Sequence, residues 1–392
     1  MTRAGQSYDP NEQRDTPLAL KLKARIRQQG PITVRAYIDA CLYDAEYGYY
    51  VHQTAIGRDG DFITAPEISQ IFGELIGLWA VVVWQQMGQP AAFKLVEYGP
   101  GRGTLMRDAL NAARLVPAFL QAAHVHLIES STVLTAMQRA TLRHLPVTPI
   151  WNGAAHGELP AIVIGNEFID TLPVGQFVRS QAGWRSQAGW QLRHVGLNGQ
   201  GALDFVVPAL DAASVMGDRQ RLLGDAALGA IYEMRNSFVD PMFEEMVRGT
   251  HAFAALFLDY GHIAEPAGAP MHGDTLQAVR GHRYESVFAS PGEADLTTQV
   301  NFSAIATEAR NNALAVDGPV TQGEFLGSLG IMERASRLMA ANPDKAASIE
   351  AGVARLMSPT GMGSRFKAIG LRSSQLPPLP GFPIMDKSPA RQ

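Results

Sequence analysis

Three glycines occupy alternate positions after a short apolar segment: Gly99, Gly101 and Gly103. The segment 93–98 has the composition of a strand, and helical apolar spacing resumes at Thr104, a candidate helix cap. We therefore predict a strand, a glycine turn and a helix whose first backbone N–H groups face a ligand. Glu97, at the end of the strand, would place a carboxylate beside a ligand amine or hydroxyl group.

The spacing of these glycines limits which ligand they suit. The dinucleotide fingerprint is G-x-G-x-x-G, whereas here the third glycine, Gly103, comes one residue early. A carboxylate at Glu97 favours a cationic ligand over a pyrophosphate, because opposite charges attract and like charges repel. An ordinary strand-to-helix turn would explain the same glycines without a ligand.

Polar side chains also follow two later apolar segments. Glu129 follows the candidate strand 124–128, and Asn166, Glu167 and Asp170 follow the candidate strand 161–164. Ligands of parallel α/β sheets bind outside the carboxyl ends of the strands. We therefore predict that Glu129 holds ribose hydroxyls. The alternatives are a strand-end carboxylate with no ligand and a helix cap at Asp170.

We expect the nucleophile of the substrate to bind beside Glu167 and Asp170. A carboxylate can orient a cationic or amine nucleophile and take its proton, which suits chemistry at nitrogen. Asp61, Tyr49 and Tyr50 precede this region and would provide carboxylate and aromatic contacts for an arginine side chain. For the tyrosines, spacing alone favours packing at the edge of the core over a substrate contact. For Asp61, a solvated turn is an equally good explanation.

The pattern of the chain predicts an α/β fold with a doubly wound sheet, helical additions and an inserted β-hairpin. We predict a helical cap and site-wall loop over residues 1–90 and an α/β core over 91–285 with a hairpin at about 175–210. A helical layer over 286–365 and a returning strand with an irregular tail over 366–392 follow. Pro31 is predicted to begin the second helix, and Thr64 to begin a long one with a capping box.

The composition excludes several classes of protein. The formal net charge is −4, so no broad basic surface for nucleic acid is expected, and the single Cys41 excludes an intrachain disulfide. The histidines show no metal-binding spacing, and the longest apolar run, 75–84, is about half of a membrane span. The first 30 residues lack the apolar core of a secretory signal, so we expect a cytoplasmic protein without membrane insertion.

The Glu97–Gly103 segment resembles the first motif of S-adenosylmethionine-dependent methyltransferases, and longer blocks resemble the MidA-like family. That family includes a mitochondrial protein arginine methyltransferase that assists assembly of respiratory complex I. The blocks extend over residues 30 to 370: 44–50, 60–69, 97–104, 166–174, 259–261, 273–282, 321–323 and 362–363.

The resemblance implies a class I methyltransferase-like fold, S-adenosylmethionine as cofactor, and symmetric methylation of an arginine on a complex I core subunit. By resemblance the cofactor contacts are Glu97, Gly99, Gly101, Gly103, Glu129 and Asn166, the catalytic residues are Glu167 and Asp170, and the substrate contacts are Asp61, Tyr49 and Tyr50. One block departs from the family, with Gln299 and Asn301 where histidine and aspartate are expected. The alternatives are a non-catalytic assembly chaperone and a nicotinamide-dependent oxidoreductase.

Overall fold

A computed structural model describes residues 9–52, 63–153, 157–181, 188–208, 226–235, 242–243, 252–264 and 273–383. The chain forms two units, and each is made of separate stretches of sequence. Unit 1 comprises Met1–Phe62, Asp170–Phe238 and Ala269–Gln299, and unit 2 comprises Ile63–Ile169, Val239–Gly268 and Val300–Gln392. We predicted domains that are continuous in sequence, whereas these two units are interleaved along the chain.

The strands of the described residues are numbered in chain order. They are β1 Ile32–Thr33, β2 Phe93–Tyr98, β3 Ala123–Ile128, β4 Ile150–Trp151, β5 Ala161–Asn166, β6 Gly175–Gln181, β7 Ala188–Leu192, β8 His194–Leu197, β9 Leu203–Val206, β10 Ile231–Met234, β11 Phe253–His262, β12 Gln277–Arg280, β13 Arg283–Glu285, β14 Asp295–Thr297, β15 Val300–Asn301, β16 Ala315–Thr321 and β17 Phe366–Arg372.

The helices are numbered in the same way. They are α1 Pro17–Gln29, α2 Val34–Tyr43, α3 Tyr49–His52, α4 Ala65–Ile68, α5 Gln70–Gln86, α6 Thr104–Ala112, α7 Pro117–Ala122, α8 Thr132–Leu142, α9 Phe302–Asn311, α10 Gln322–Ser328, α11 Ile331–Ala341, α12 Ala346–Met357 and α13 Met362–Arg365. Two short 3₁₀ helices, Ala113–Leu115 and Pro343–Lys345, lie between them.

Unit 2 is built on a sheet with strand order β16-β17-β11-β5-β2-β3-β4, to which β15 adds beside β11. Strands β11, β5, β2, β3 and β4 run parallel to one another, and β17 is antiparallel to both β11 and β16. From β2 the chain moves outward through β3 and β4 and then returns to β5 on the other side. The order therefore reverses between β2 and β5, where sheets of this kind bind their ligands.

Helix α5 packs closely against α6, the helix that follows the glycine turn. A Cβ atom at Gly77 of α5 would lie 2.4 Å from the carbonyl oxygen of Ala109 on α6, so only glycine permits this approach. Apolar residues of both helices are buried with those of the central strands in the core of unit 2. This packing holds the beginning of α6 at the carboxyl edge of β2.

The described residues of unit 1 form three small sheets, with strand orders β1-β8-β9, β10-β6-β7 and β13-β12-β14. Its core contains apolar residues of α1 and α2, such as Leu22 and Tyr37. They pack with apolar residues of the strands, such as Val195 and Leu296. The antiparallel pair β6–β7 confirms the predicted hairpin, and β8–β9 forms a second hairpin beyond it. Residues 182–187, between β6 and β7, lie outside the described residues, and Trp190 is buried on β7.

The α/β fold class is confirmed, while several predicted helix boundaries are wrong. The second helix begins at Val34 rather than Pro31, because the Thr33 side chain accepts a hydrogen bond from the Ala36 N–H and caps it. The predicted long helix breaks at Ser69, whose side chain caps α5, and the Thr64 side chain makes no capping bond. The helical layer also contains strand β16, which the sequence analysis missed.

Candidate functional site

The turn between β2 and α6 has the conformation that its glycines allow. Gly99, Gly101 and Gly103 have φ values of 61°, 53° and 80°, in the left-handed region that side chains disfavour. Gly103 is the N-cap residue of α6, so the prediction that Thr104 caps the helix is wrong. Thr104 is the first helical residue, and its hydroxyl donates a hydrogen bond to Glu67 Oε1 at 2.5 Å.

Glu97 is buried on β2, with 3% of its surface exposed. Within the described part of the chain its Oε2 atom has no hydrogen-bond partner. Burial, together with a smaller contribution from the Glu129 carboxylate, raises the pKa of this carboxyl to about 8. A buried acid without a cation is costly unless a ligand supplies the positive charge.

Glu129 lies just beyond β3, whose register places Leu127 beside Glu97 of β2. Its Oε1 accepts a hydrogen bond from the Ser131 N–H at 2.8 Å, and its Oε2 accepts one from Gln138 Nε2 at 3.0 Å. Burial raises its pKa, and these hydrogen bonds lower it by a smaller amount. An ionised carboxylate can accept about four hydrogen bonds, so two bonds leave it able to hold ligand hydroxyls.

The end of β5 brings Asn166 and Glu167 to the same sheet edge. Asn166 is buried, its Nδ2 donates to Glu167 Oε1 at 3.3 Å, and its Oδ1 has no hydrogen-bond partner among the residues described. Glu167 also accepts a hydrogen bond from the Ala65 N–H at 3.1 Å. These contacts place an amide and a carboxylate at the reversal between β2 and β5.

The backbone of Glu167 is strained. Its φ is 51°, which is uncommon for a residue other than glycine, and its N–H donates to the Leu258 carbonyl at 2.8 Å. Strain of this kind persists where surrounding structure enforces it and is concentrated at functional sites. Phe168 then packs against Tyr98, with ring centroids 5.2 Å apart. Sequence reasoning missed both the strain and the contact with Phe168.

Asp170 belongs to unit 1, where it is buried with 7% exposure. Burial raises its pKa to about 6, and the positive charge of Arg235 opposes that shift. The Thr298 N–H approaches the Asp170 carbonyl oxygen at 3.5 Å. Asp170 caps no helix of the described residues, so the capping alternative is not supported.

The predicted substrate contacts differ in their surroundings. Tyr49 is fully buried in the core of unit 1, which supports the packing explanation for this residue. Tyr50 is partly buried, and its hydroxyl donates to Asp295 Oδ1 at 2.9 Å. Asp61 lies outside the described residues, so its predicted role stays a prediction.

The two departures from the family pattern occupy different environments. The Gln299 side chain is exposed, and its backbone is held by Thr275 Oγ1 at 2.9 Å and Arg235 Nη1 at 3.0 Å. Asn301 is the N-cap of α9, and its Oδ1 accepts from the Ala304 N–H at 3.0 Å. Asparagine caps helices about as well as aspartate, so the capping role needs no carboxylate here.

A polar cleft of about 250 Å³ lies beside the glycine turn. Glu67, Arg102, Thr104 and Asp108 are among the residues that line it. Within the described ranges no three or more His, Cys, Asp and Glu side chains are grouped to hold a metal ion. No helix there is long and apolar enough to cross a membrane.

Taken together, the edge of the unit 2 sheet fits a cofactor that carries positive charge and hydroxyl groups. Glu97 and Asn166 each present a buried oxygen without a hydrogen-bond partner in the described ranges. Gly99, Gly101 and Gly103 have no side chains to occupy the space through which a ligand approaches the backbone. The residues predicted for S-adenosylmethionine in unit 2 therefore lie at one sheet edge.

Comparisons with known proteins agree with this arrangement. Residues 75–320 match the model of a family described as S-adenosyl-L-methionine-dependent methyltransferases. The mouse mitochondrial protein arginine methyltransferase NDUFAF7 is 34% identical over 92% of this chain and 85% of its own length. The human protein is 32% identical over 94% and 86%.

A solved structure extends the comparison to the whole fold. A solved Burkholderia thailandensis protein, bound to S-adenosyl-homocysteine, is 27% identical to this chain. The TM-score is 0.82, and the match covers 95% of this chain and 96% of that one.

Proposed function

The chain belongs to the family of S-adenosylmethionine-dependent methyltransferases that includes NDUFAF7, and we propose that its methyl acceptor is an arginine of a protein. The observation that carries this proposal is the strained Glu167 at the carboxyl end of β5, beside the glycine turn of β2. A carboxylate fixed at this position suits a guanidinium group. The planar fork of N–H groups on the guanidinium matches the two oxygens of the carboxylate.

We propose that Glu97, the three glycines, Glu129 and Asn166 hold the cofactor. When bound, S-adenosylmethionine supplies an electrophilic methyl group on a positively charged sulfur. In its ionised form Glu97 offers negative charge in a buried environment, where electrostatic attraction is stronger than in water. Glu129 offers acceptor oxygens to the ribose hydroxyls, and the left-handed glycines leave their backbone accessible.

Glu167 is proposed to orient the acceptor and to remove a proton from it. An arginine is protonated in water, and its nitrogen must lose a proton when it gains a methyl group. The Ala65 N–H and the Asn166 amide fix the Glu167 carboxylate before the acceptor arrives. Such preorganisation lets the carboxylate act without rearrangement during the reaction.

We propose that Asp170 is a second carboxylate that takes part in the reaction. Its pKa of about 6 leaves most of the group ionised at neutral pH, so it can attract a guanidinium. We further propose an extended or incompletely folded acceptor segment on a complex I core subunit, and symmetric dimethylation as the product. This finer proposal is supported by the family resemblance, since the relatives are named as NDUFAF7 arginine methyltransferases.

The test is transfer of labelled methyl groups to an isolated complex I core subunit, in comparison with the assembled complex. We expect label in the isolated subunit, recovered as symmetric dimethylarginine after hydrolysis. The Gly101→Val variant, which should not bind cofactor, is the control for contaminating activity. Label on a residue other than arginine, or faster labelling of the assembled complex, would contradict the proposal.

A further inference from the structure

Gln138 connects three parts of unit 2. It lies on α8, its side chain is fully buried, and its amide contacts the glycine turn, the residue after β3 and strand β4. Nε2 donates to the Gly101 carbonyl at 2.7 Å and to Glu129 Oε2 at 3.0 Å. Oε1 accepts from Trp151 Nε1 at 2.9 Å.

The chemistry of these partners fixes the orientation of the amide. The Trp151 indole nitrogen can only donate, so it must face the amide oxygen of Gln138. The Gly101 carbonyl and the Glu129 carboxylate can only accept, so they must face the amide nitrogen. A flipped amide would lose all three hydrogen bonds, and the site therefore specifies glutamine in one orientation.

Gln138 also sets the distance between the glycine turn and the Glu129 carboxylate. Both hydrogens of the amide are used, one on each of Gly101 and Glu129. Helix α8 also passes close to the turn: a Cβ atom at Gly103 would lie only 3.4 Å from Gln138 Cα. The Ser131 N–H holds the other carboxylate oxygen of Glu129, so the carboxylate is fixed at both oxygens.

We propose that Gln138 is a positioning residue that aims the Glu129 carboxylate at the ribose hydroxyls of the cofactor. This inference rests on the proposed function, in which Glu129 holds the ribose. Gln138 itself does not contact the ligand in this account. It acts through Glu129, because it fixes one oxygen of the carboxylate relative to the backbone of Gly101.

The experiment compares the affinities of S-adenosylhomocysteine and its 2′,3′-dideoxyribose analogue, measured by calorimetry. We expect the wild-type protein to prefer the hydroxylated ligand by about tenfold or more, as for hydrogen bonds to a charged group. Gln138→Met keeps the length of the side chain and removes its hydrogen bonds. In this variant the preference should fall to about threefold or less, while the affinity for the dideoxy analogue stays unchanged.

Gln322→Met is the matched control. Gln322 is also fully buried in unit 2, but its amide donates to the Leu356 carbonyl at 2.9 Å. This variant should keep the wild-type preference for the hydroxyls. If Gln138→Met does not fold, Gln138→Asn, which is too short to reach both acceptors, replaces it and should lose the preference in the same way.

Three results would overturn the inference. The preference could persist in the Gln138 variant, both ligands could lose affinity by the same factor, or Gln322→Met could lose the preference as well. A wild-type protein that binds S-adenosylhomocysteine without any hydroxyl preference would instead show that Glu129 does not hold the ribose. That result would refute the residue assignment in the proposed function together with this inference.

Discussion

Glu97 in unit 2 and Glu285 in unit 1 are both buried glutamates, with 3% and 8% of their surfaces exposed. Glu285 accepts a hydrogen bond from Arg14 Nη2 at 2.7 Å and another from the Ser290 hydroxyl. Glu97 is in none of the ion pairs found among the described residues, and the charged group that raises its pKa is a second acid, Glu129. The two units therefore treat a buried negative charge in opposite ways.

The difference separates acids that support the fold from acids that await a ligand. A buried carboxylate with an arginine and a hydroxyl is already compensated, so it stabilises the structure around it. A buried carboxylate beside another acid is costly in the empty protein, and a bound cation would remove that cost. The following variants test whether this distinction is real.

Gly101→Val should have the largest effect. The φ of Gly101 is 53°, which a β-branched residue tolerates poorly, and the new side chain would enter the space of the ligand. We expect the affinity for S-adenosylmethionine to fall by about 100-fold or more, measured by calorimetry.

The control for Gly101→Val is Gly88→Val. Gly88 has a φ of 85° with no atom near its would-be Cβ, so it carries similar backbone strain without facing the sheet edge. This variant should bind the cofactor normally. Unchanged affinity in Gly101→Val would show that the glycine turn is not part of the cofactor site.

Glu167→Gln should lower turnover by about 100-fold, the range of a lost acid–base group, because the amide cannot accept the acceptor's proton. Cofactor affinity should stay within about twofold of wild type, since Glu167 is proposed to act on the acceptor. Single-turnover methylation kinetics together with calorimetry separate the two quantities. Glu324→Gln is the control, because Glu324 caps helix α10 and has no proposed role in methylation. Normal turnover in Glu167→Gln would contradict its catalytic role.

Glu97 should make cofactor affinity dependent on pH. Its pKa is about 8 in the folded protein without ligand, so the carboxyl becomes ionised and attracts the cofactor as pH rises. Between about pH 6.5 and pH 8.5 we expect affinity to increase by about tenfold relative to Glu97→Gln, a comparison that removes the ligand's own titration. If cofactor affinity changed with pH in the same way in the wild type and in Glu97→Gln, Glu97 would not interact with the cofactor.

The same pKa predicts the opposite trend for stability. The folded pKa of Glu97 lies above its usual value of 4.5, so the folded state binds the proton more tightly than the unfolded state. The stabilisation is complete below about pH 4.5 and is lost as pH rises through about 8. Denaturant melts of the ligand-free protein should show wild type losing stability relative to Glu97→Gln over this range.

Glu285→Gln should have the smallest effect on the cofactor, within about twofold of wild-type affinity. Its effect should fall on folding, with a loss of about 1–3 kcal/mol in the free energy of unfolding. The lower end of that range applies because the Arg14 side chain is 33% exposed and its ion pair is screened by solvent. A large loss of cofactor affinity without destabilisation would break the distinction between the two kinds of buried acid.

Local patterns allowed the sequence to predict the centre of unit 2. The strand 93–98, its glycine turn and the acids after β3 and β5 follow from apolar runs that end in specific residues. Features that depend on distant partners were missed. Strand β16 forms because it pairs with β17, about fifty residues later in the chain. The break before α5 depends on Ser69, which competes with Thr64 as a cap.

Side-chain roles were harder to predict than positions. Gln138 has the appearance of any polar residue on an amphipathic helix, and only the fold shows that its amide reaches Gly101 and Glu129. Tyr49 was predicted as a substrate contact from its aromatic neighbours, but it is fully buried in a core that no local pattern specifies. Spacing identifies which residues share an edge, whereas burial and hydrogen bonding decide what each one does.

The decisive measurement is a crystal structure of the protein with S-adenosylhomocysteine. We expect the ligand to lie at the carboxyl edge between β2 and β5, against Gly99, Gly101 and Gly103. Its ribose hydroxyls should be within about 3.2 Å of the Glu129 carboxylate, and its amino group should lie on the side of Glu97. A ligand bound elsewhere, or one whose hydroxyls and amino group contact neither carboxylate, would contradict the account.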